Sequence, residues 1–466
     1  MLIRKCGAAE TLVVKRVLIV SSGDTEGVIS ACARIIVFKS VLRARTRTMQ
    51  TVEHTTSHVA VIGGGIVGLC TAFHLVETGF SVSIIEAGEP GAKCSSGNAG
   101  SLSSGSVAPL AMPGVLKQSV GMMFDSTGPL YIPASYLLQV APWMARFVAS
   151  ASTERVAHIA KALHDLIGDA VEQHKALAAK VGCSDLIVDT GQIHLYPDEK
   201  ALRKDDAGWA LKRQHGLNPV RIGRTDILQF EPRISSHYQT GYHVDGQPWI
   251  KDPQLHATRI AKYLRRRGVS FVRDQVLDLS RISGGWQIRG KQETHVAQAV
   301  VVSAGAWSSE LLKPLGVRVP LEAQRGYHLR FPGAEDMIQR VVVLADRKVF
   351  MTPMLGGLQA AGTVEFGGLD RLASSKRALL LAGHAKSALV DLDVSGPVQW
   401  MGHRPCLPDS MPVLGEIPAH PGLWCAFGHG HLGLTGAAGT GHLLAQAMSG
   451  SAQAKATLAA FSAVRF

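Results

Sequence analysis

Between His58 and Gly68 the chain reads HVAVIGGGIVG, and few stretches leave a polypeptide so little choice of fold. An apolar run of strand type, His58 to Ile62, passes directly into Gly63, Gly65 and Gly68, then into a helical pattern with Leu69, Ala72, Phe73 and Leu75 on one face. In the order strand, tight turn, helix, Gly63 frees the turn, Gly65 lets a pyrophosphate approach the backbone, and Gly68 lets the helix pack close to the strand. Ile66 and Val67 open the helix, whose unpaired N–H groups and partial positive charge suit phosphates. A bare GxGxxG is weak evidence. Here a second strand, Ser81 to Ile85, follows and ends in Glu86, 18 residues after Gly68, where a carboxylate can accept hydrogen bonds from a ribose. The combination predicts a dinucleotide site.

The surrounding composition is that of a globular protein: 466 residues, 46% hydrophobic and 18% charged, enough for two domains. The formal net charge is +12, and the first 56 residues hold nine Lys/Arg against four Asp/Glu. A basic surface attracts anionic substrates, nucleic acid or membrane faces. No Lys/Arg run with interleaved aromatics occurs, so the charge reads as solvated surface with no nucleic-acid partner. Cys6, Cys32, Cys70, Cys94, Cys183, Cys406 and Cys425 are odd in number and scattered, without CxxC spacing. That pattern predicts reduced thiols and no metal site. No window reaches the roughly 18 to 20 apolar residues of a membrane span. The expected compartment is the cytoplasm, with at most peripheral contact at the inner face of a membrane.

From Cys94 to Ser106 the small-residue stretch CSSGNAGSLSSGS occupies the second strand-to-helix junction, which faces the same crevice as the glycine turn. Helical patterns follow over Ser135 to Ser150 and, as one long element, Glu154 to Val181. From Asp185 the period becomes that of strands (LIVDTGQIHLYP), broken by a charged helix, Glu199 to His215. A helix from Pro253 to Arg267 leads to a strand, Val269 to Arg273, and to three alternating runs, Val276 to Ile282, Trp286 to Ile288 and Thr294 to Ala297, that read as a meander. The apolar AVVVSAG, Ala299 to Gly305, reads as another buried parallel strand. Strand patterns resume over Val319 to Phe331, Val341 to Leu344, Lys348 to Pro353 and Leu358 to Val364, before a helix from Ser375. The last segment holds WMGHRPCLPDSMPVLG, a strand Leu423 to Phe427, the turn GHGHLGLTG and a small-residue helix to Met448. The expected architecture is α/β with an α+β second part: a Rossmann-type domain interleaved with a substrate domain built on a mostly antiparallel sheet. Residues 57–108, 250–318 and 398–466 are assigned to the first, residues 109–249 and 319–397 to the second, and residues 1–56 to an N-terminal extension.

The pieces VIGGGIVGLCTAFHL, SGNAGSLSSGSVAPLAMPG, VVSAGAWSSELLKPLG, GHRPCLPDSMPVLG, AFGHGHLGLTGAAGTG and the terminal FSAVRF together resemble the amino-acid-oxidising flavoproteins related to D-amino-acid oxidase and glycine oxidase. The likeness is greatest to the branch of D-amino-acid dehydrogenases, and it runs from residue 58 to the end. It implies FAD on the glycine turn, Glu86 at the adenosine ribose and the Val276 backbone at the adenine. It places Ser95, Ser96, Asn98, Ala99 and Gly100 along the pyrophosphate and flavin, and Gly430, Leu432, Gly433, Leu434 and Thr435 over the ring. His429 and His431 read equally as turn-satisfied or functional, and His429 stands as a catalytic candidate.

For the substrate, Arg404 in GHRP resembles the family's carboxylate-binding Arg, whose planar fork gives two parallel hydrogen bonds. Tyr327 would reach the other side of the pocket; alternation puts Arg325 and Tyr327 on one face of their strand and His328 on the other. The implied reaction is hydride transfer from substrate Cα–H to flavin N5, leaving an imino acid that water hydrolyses. The substrate is then a D-amino acid, with cyclic D-imino acids such as D-proline or hydroxy-D-proline a further option, and electrons pass to a quinone or another carrier. Two alternatives stand beside it: a glycine or sarcosine type oxidase using oxygen, and a flavin-holding subunit whose partner does the chemistry. Covalent flavin attachment is not expected, because Cys406 is offset from the linking Cys of related sarcosine oxidases. Met49 lies nine residues before the first strand, and the working chain is expected to start there. N-terminal sequencing of the native protein checks this, and a chain that begins at Met1 removes the idea.

Overall fold

The computed structural model describes residues 57–114, 128 and 130–466, all within one compact unit, Thr56–Phe466. The expected start at Met49 and the basic N-terminal segment lie outside the described residues.

A six-stranded sheet organises the fold, in the order Val413–Glu416, Leu423–Phe427, Ala299–Val302, His58–Ile62, Ser81–Glu86, Ser270–Arg273. All neighbours run parallel except Val413–Glu416, which returns antiparallel to Leu423–Phe427. The inner strands are continuous apolar runs because a parallel sheet is covered on both faces, and Val59, Val61, Val300, Val301 and Ile84 are wholly buried. From His58–Ile62 the chain moves first to Ser81–Glu86 and only later fills the other side with Ala299–Val302. A crevice therefore opens beyond the carboxyl ends, where the connections part.

Helices Ile66–Glu77, Thr153–Ile167, Ala170–Val181, Pro253–Arg266 and Ala437–Met448 share an apolar layer with one face of this sheet. Ile66–Glu77 and Ala437–Met448 meet almost backbone to backbone: a Cβ on Gly441 would lie 2.5 Å from the Cys70 carbonyl oxygen. The meander Val276–Ile282, Gly285–Gly290, Thr294–Ala297 packs Trp286 and Ile288 with Val300 and Val302 of the other face.

The second sheet runs Val398–Cys406, Glu322–Phe331, Gly357–Phe366, Val349–Met354, Val341–Leu344, Gln192–Tyr196, Thr240–Val244, Val220–Gly223, with Leu130–Tyr131 alongside Gly357–Phe366. Its pairs are antiparallel apart from Val341–Leu344 on Gln192–Tyr196 and the short Leu130–Tyr131. Val398–Cys406, assigned above to the cofactor-binding part, pairs along its whole length with Glu322–Phe331 and is an edge strand of this second sheet. Two long helices expected from periodicity are each broken. Thr153–Ile167 and Ala170–Val181 part at Gly168 and Asp169, residues of poor helix propensity. Glu199–Arg203 and Asp206–Gln214 part where Asp205 turns its carboxylate to the Tyr196 hydroxyl.

The helical layer encloses two fully buried histidines, and burial holds His174 at a pKa of about 4 and His256 at about 3. Both stay neutral in the folded protein, whereas the unfolded chain takes up protons below its ordinary value of 6.5. Stability is thus complete above that value and falls as pH drops toward 4, by roughly 3 kcal/mol for each ring. Urea midpoints measured from about pH 7.5 to about 4.5 should decline; a level midpoint would show that the folded protein accepts these protons.

A backbone-lined cavity and a guanidinium bedded on glycine

The first turn works through close backbone approach. Gly63 sits at φ +105° and donates its N–H to the Ile85 carbonyl, a conformation L side chains rarely adopt. A Cβ on Gly68 would lie 2.0 Å from the Gly63 carbonyl oxygen, so only glycine lets the helix Ile66–Glu77 start so near its strand. A Cβ on Gly65 would meet only the Ser95 hydroxyl, at 3.5 Å, and faces a cavity of about 390 Å³. Gly63, Ile66, Val67 and Glu86 line the same cavity. The Glu86 carboxylate is held by the N–H groups of Gly64 (2.7 Å) and Gly88 (2.9 Å), which fixes it at the rim.

Beside Val276, also on the lining, Asp274 is a group that sequence reasoning missed. It accepts backbone N–H bonds from Gln275, Lys291, Gln292 and Glu293. Burial would raise its pKa, but these donors and His295 outweigh burial and hold it below the ordinary value. A lone Asp ahead of a strand carries no signal of such a cradle.

The small-residue loop is fastened from two sides. Ser95 accepts the Ile66 N–H at 3.0 Å, tying the loop to the helix start. Three successive carbonyls, of Gly97, Asn98 and Ala99, pair with His328 Nδ1 (3.2 Å), Gln359 Nε2 (3.0 Å) and Thr352 Oγ1 (2.8 Å), side chains from three adjacent strands of the second sheet. Gly100, at φ +75°, closes the loop against the Ile250 carbonyl. Ser95 and Asn98 line the cavity. Ser96 instead donates its hydroxyl to the carbonyls of Ala92 and Lys93, within its own turn. Thr352 and Gln359 lie in strands that read as plain core, so nothing in their spacing marked them.

In the late turn, Gly430, Gly433 and Leu434 line the cavity from the far side, while Leu432 is buried in the apolar layer. Thr435 takes the Ser103 N–H at 3.2 Å and so ties the turn to the small-residue loop. The N–H groups of Leu434 and Thr435 find no acceptor among the described residues. His429 lines the cavity beside Gly430. Its Nε2 pairs with Thr440 Oγ1 at 2.8 Å, and burial pushes its pKa down to about 3, so the ring is neutral and engaged within the turn and its helix.

Arg404 lies in Val398–Cys406 over Gly326 of the neighbouring strand: a Cβ there would lie 2.3 Å from its Cζ, so glycine leaves the guanidinium its bed. One Nη1 bond reaches the Thr363 carbonyl (3.2 Å), and no carboxylate among the described residues pairs with it. On the same face His328 stacks on Trp400, ring centroids 4.9 Å apart. Burial first, then Arg330 and Arg404, hold His328 near a pKa of 4. Tyr327 points the other way: with Arg325 it turns to Glu365, takes the Ser374 N–H, and packs in the core under Ser375–Ala388. The alternation was right about the faces: Tyr327 lies on the core side, while His328 and Trp400 share with Arg404 the face that meets the loop at Gly97. Cys406 is buried, its thiol pushed up to about 12 by burial. Among the described residues there is no His/Cys/Asp/Glu group placed to hold a metal, and no helix long and apolar enough to cross a membrane.

A family model described as FAD dependent oxidoreductase matches residues 58–447. A D-amino-acid oxidase of Bradyrhizobium diazoefficiens is 37% identical over 418 residues, covering 88% of this chain and 99% of the relative. A D-amino acid dehydrogenase of Xylella fastidiosa is 29% identical, covering 81% and 88%. Among solved structures, glycine oxidase from Geobacillus kaustophilus superposes with a TM-score of 0.68 at 23% identity, over 88% of this chain and all of that one. That likeness is one of fold.

Free N–H groups, an open glycine turn and a rim carboxylate on one cavity fit a dinucleotide such as FAD. Gly65→Val should yield a folded but colourless protein, since the side chain enters open cavity rather than core. Absorbance near 450 nm with a parallel thermal melt checks this; a yellow variant would show that the pyrophosphate lies elsewhere.

Proposed function

The chain belongs to the FAD dependent oxidoreductase family, and from that premise we propose that it oxidatively deaminates D-amino acids. The observation that carries the reading is Arg404, a cation without a carboxylate partner among the described residues, bedded on Gly326 beside the flat wall of His328 and Trp400. The names of the relatives, D-amino-acid oxidase and D-amino acid dehydrogenase, support the substrate class.

Arg404 binds the α-carboxylate through two parallel hydrogen bonds and thereby sets which face of Cα is presented. FAD, when bound, supplies the acceptor for the hydride that leaves Cα. Glu86 would hold the ribose, the Gly63–Gly68 turn the pyrophosphate, and the Leu434 and Thr435 N–H groups would favour negative charge at the edge of the ring. His328 is neutral and donates through Nδ1 to the Gly97 carbonyl, so it orients the loop without competing with Arg404 for the carboxylate. Loss of the hydride from Cα and of one proton from the amine to solvent leaves an imino acid, which water hydrolyses to a 2-oxo acid and ammonia. We propose a quinone or another carrier as electron acceptor.

Anaerobic addition of D-amino acids should bleach the flavin, and a flavin that stays oxidised with all of them would favour a subunit without chemistry of its own. Turnover should need an artificial acceptor, while fast peroxide formation in air would replace the dehydrogenase reading by an oxidase. Arg404→Leu should raise KM at least tenfold, from the loss of about 1.5–3 kcal/mol per charged hydrogen bond. Flavin content should be unchanged; its loss instead would move Arg404 from the substrate to the cofactor.

A further inference from the structure

Behind the late turn lies a group of titratable side chains that the proposed reaction does not use. His174 of Ala170–Val181, His256 of Pro253–Arg266, Cys183 and Cys70 are all at 0% exposure. His256 Nδ1 meets Cys183 Sγ at 3.4 Å, and the rings of His174 and His256 lie 6.2 Å apart. Among the described residues, His174 Nδ1 and His256 Nε2 have no hydrogen-bond partner. An apolar side chain would fill this space without orphaned nitrogens. One contact distinguishes His174 from its neighbours: its Nε2 lies 2.8 Å from the Leu434 carbonyl oxygen. A carbonyl only accepts, so Nε2 carries the proton and the neutral ring is a donor.

A peptide plane makes that contact matter. Leu434 C=O and Thr435 N–H belong to one trans peptide unit, in which carbonyl and N–H point in opposite directions. Anchoring the carbonyl toward Ala170–Val181 therefore turns the Thr435 N–H away from that helix, and Leu434, the other half of the peptide, lines the cavity. That N–H has no acceptor among the described residues. The carbonyl's other bond, from the Ala437 N–H, is longer at 3.3 Å and lies within the turn itself.

We propose that His174 is a positioning residue for the cofactor: its Nε2–H holds the Leu434–Thr435 peptide so that the Thr435 N–H faces the flavin, and it thereby raises the flavin's reduction potential. This rests on the cofactor reading of the cavity. The negative charge gained on reduction is then met by a donor already aimed at it, which favours the reduced form more than the oxidised one. His256, equally buried but bonded to Cys183, has no such lever.

The test compares three variants of the full-length protein, reconstituted with FAD, by FAD dissociation constant and by midpoint potential. His174→Phe should weaken binding of reduced flavin about tenfold more than that of oxidised flavin, a fall of about 30 mV. His174→Gln, whose amide can still donate to Leu434, should keep most of the wild-type potential. His256→Phe should leave it unchanged. Should His174→Phe fail to fold, His174→Asn, too short to reach the carbonyl, carries the same expectation. A wild-type potential in His174→Phe or His174→Asn, or an equal fall in His256→Phe, overturns the proposal. Wild-type protein that binds no FAD would instead overturn the cofactor reading beneath it.

Discussion

A wall of backbone N–H groups can be offered to a ligand only if the carbonyls of the same peptides are satisfied elsewhere, because each trans peptide points the two groups apart. Carbonyls are taken by distant side chains on both sides of the cavity. On one, the carbonyls of Gly97, Asn98 and Ala99 are taken by His328, Gln359 and Thr352. On the other, Leu434 C=O is taken by His174. Buried polar side chains that look misplaced in an apolar layer thus hold the carbonyls of distant elements.

The two sheets divide the labour along the same line. The parallel sheet brings Gly63, Glu86 and the Gly428–Gly436 turn to one crevice, since its strands end there together. The antiparallel sheet supplies the side chains that clamp the loop and, on the same face, the bed for Arg404. Glycine decides two of these approaches: Gly68 for the helix start and Gly326 for the guanidinium. At each position a single methyl group would collide with its neighbour.

How much was legible beforehand varied with the range of the signal. His58–Ile62, Ala299–Val302 and Leu423–Phe427 were readable because a doubly covered strand is a local apolar run. Helix breaks at Gly168 and Asp205 were missed, since the apolar period continues across both. Tyr327 was expected to reach the other side of the pocket from its strand. Alternation gives relative faces only, and the contacts with Glu365 and Ser375–Ala388 show which face is core. His429 read equally as turn-satisfied or functional, and Thr440, eleven residues on, holds its ring.

The sequence by itself determined the strand–turn–helix at Gly63–Gly68, the acid at Glu86, the succession of parallel and antiparallel segments and the presence of a cation at Arg404. These are properties of neighbouring residues, set by sterics, period and charge. Tertiary structure alone decided which partners Asp274, Thr352, Gln359 and His174 take, and which side of the strand Glu322–Phe331 packs in the core. Their partners lie on other elements, and a hydrogen bond between distant segments leaves no periodicity to read.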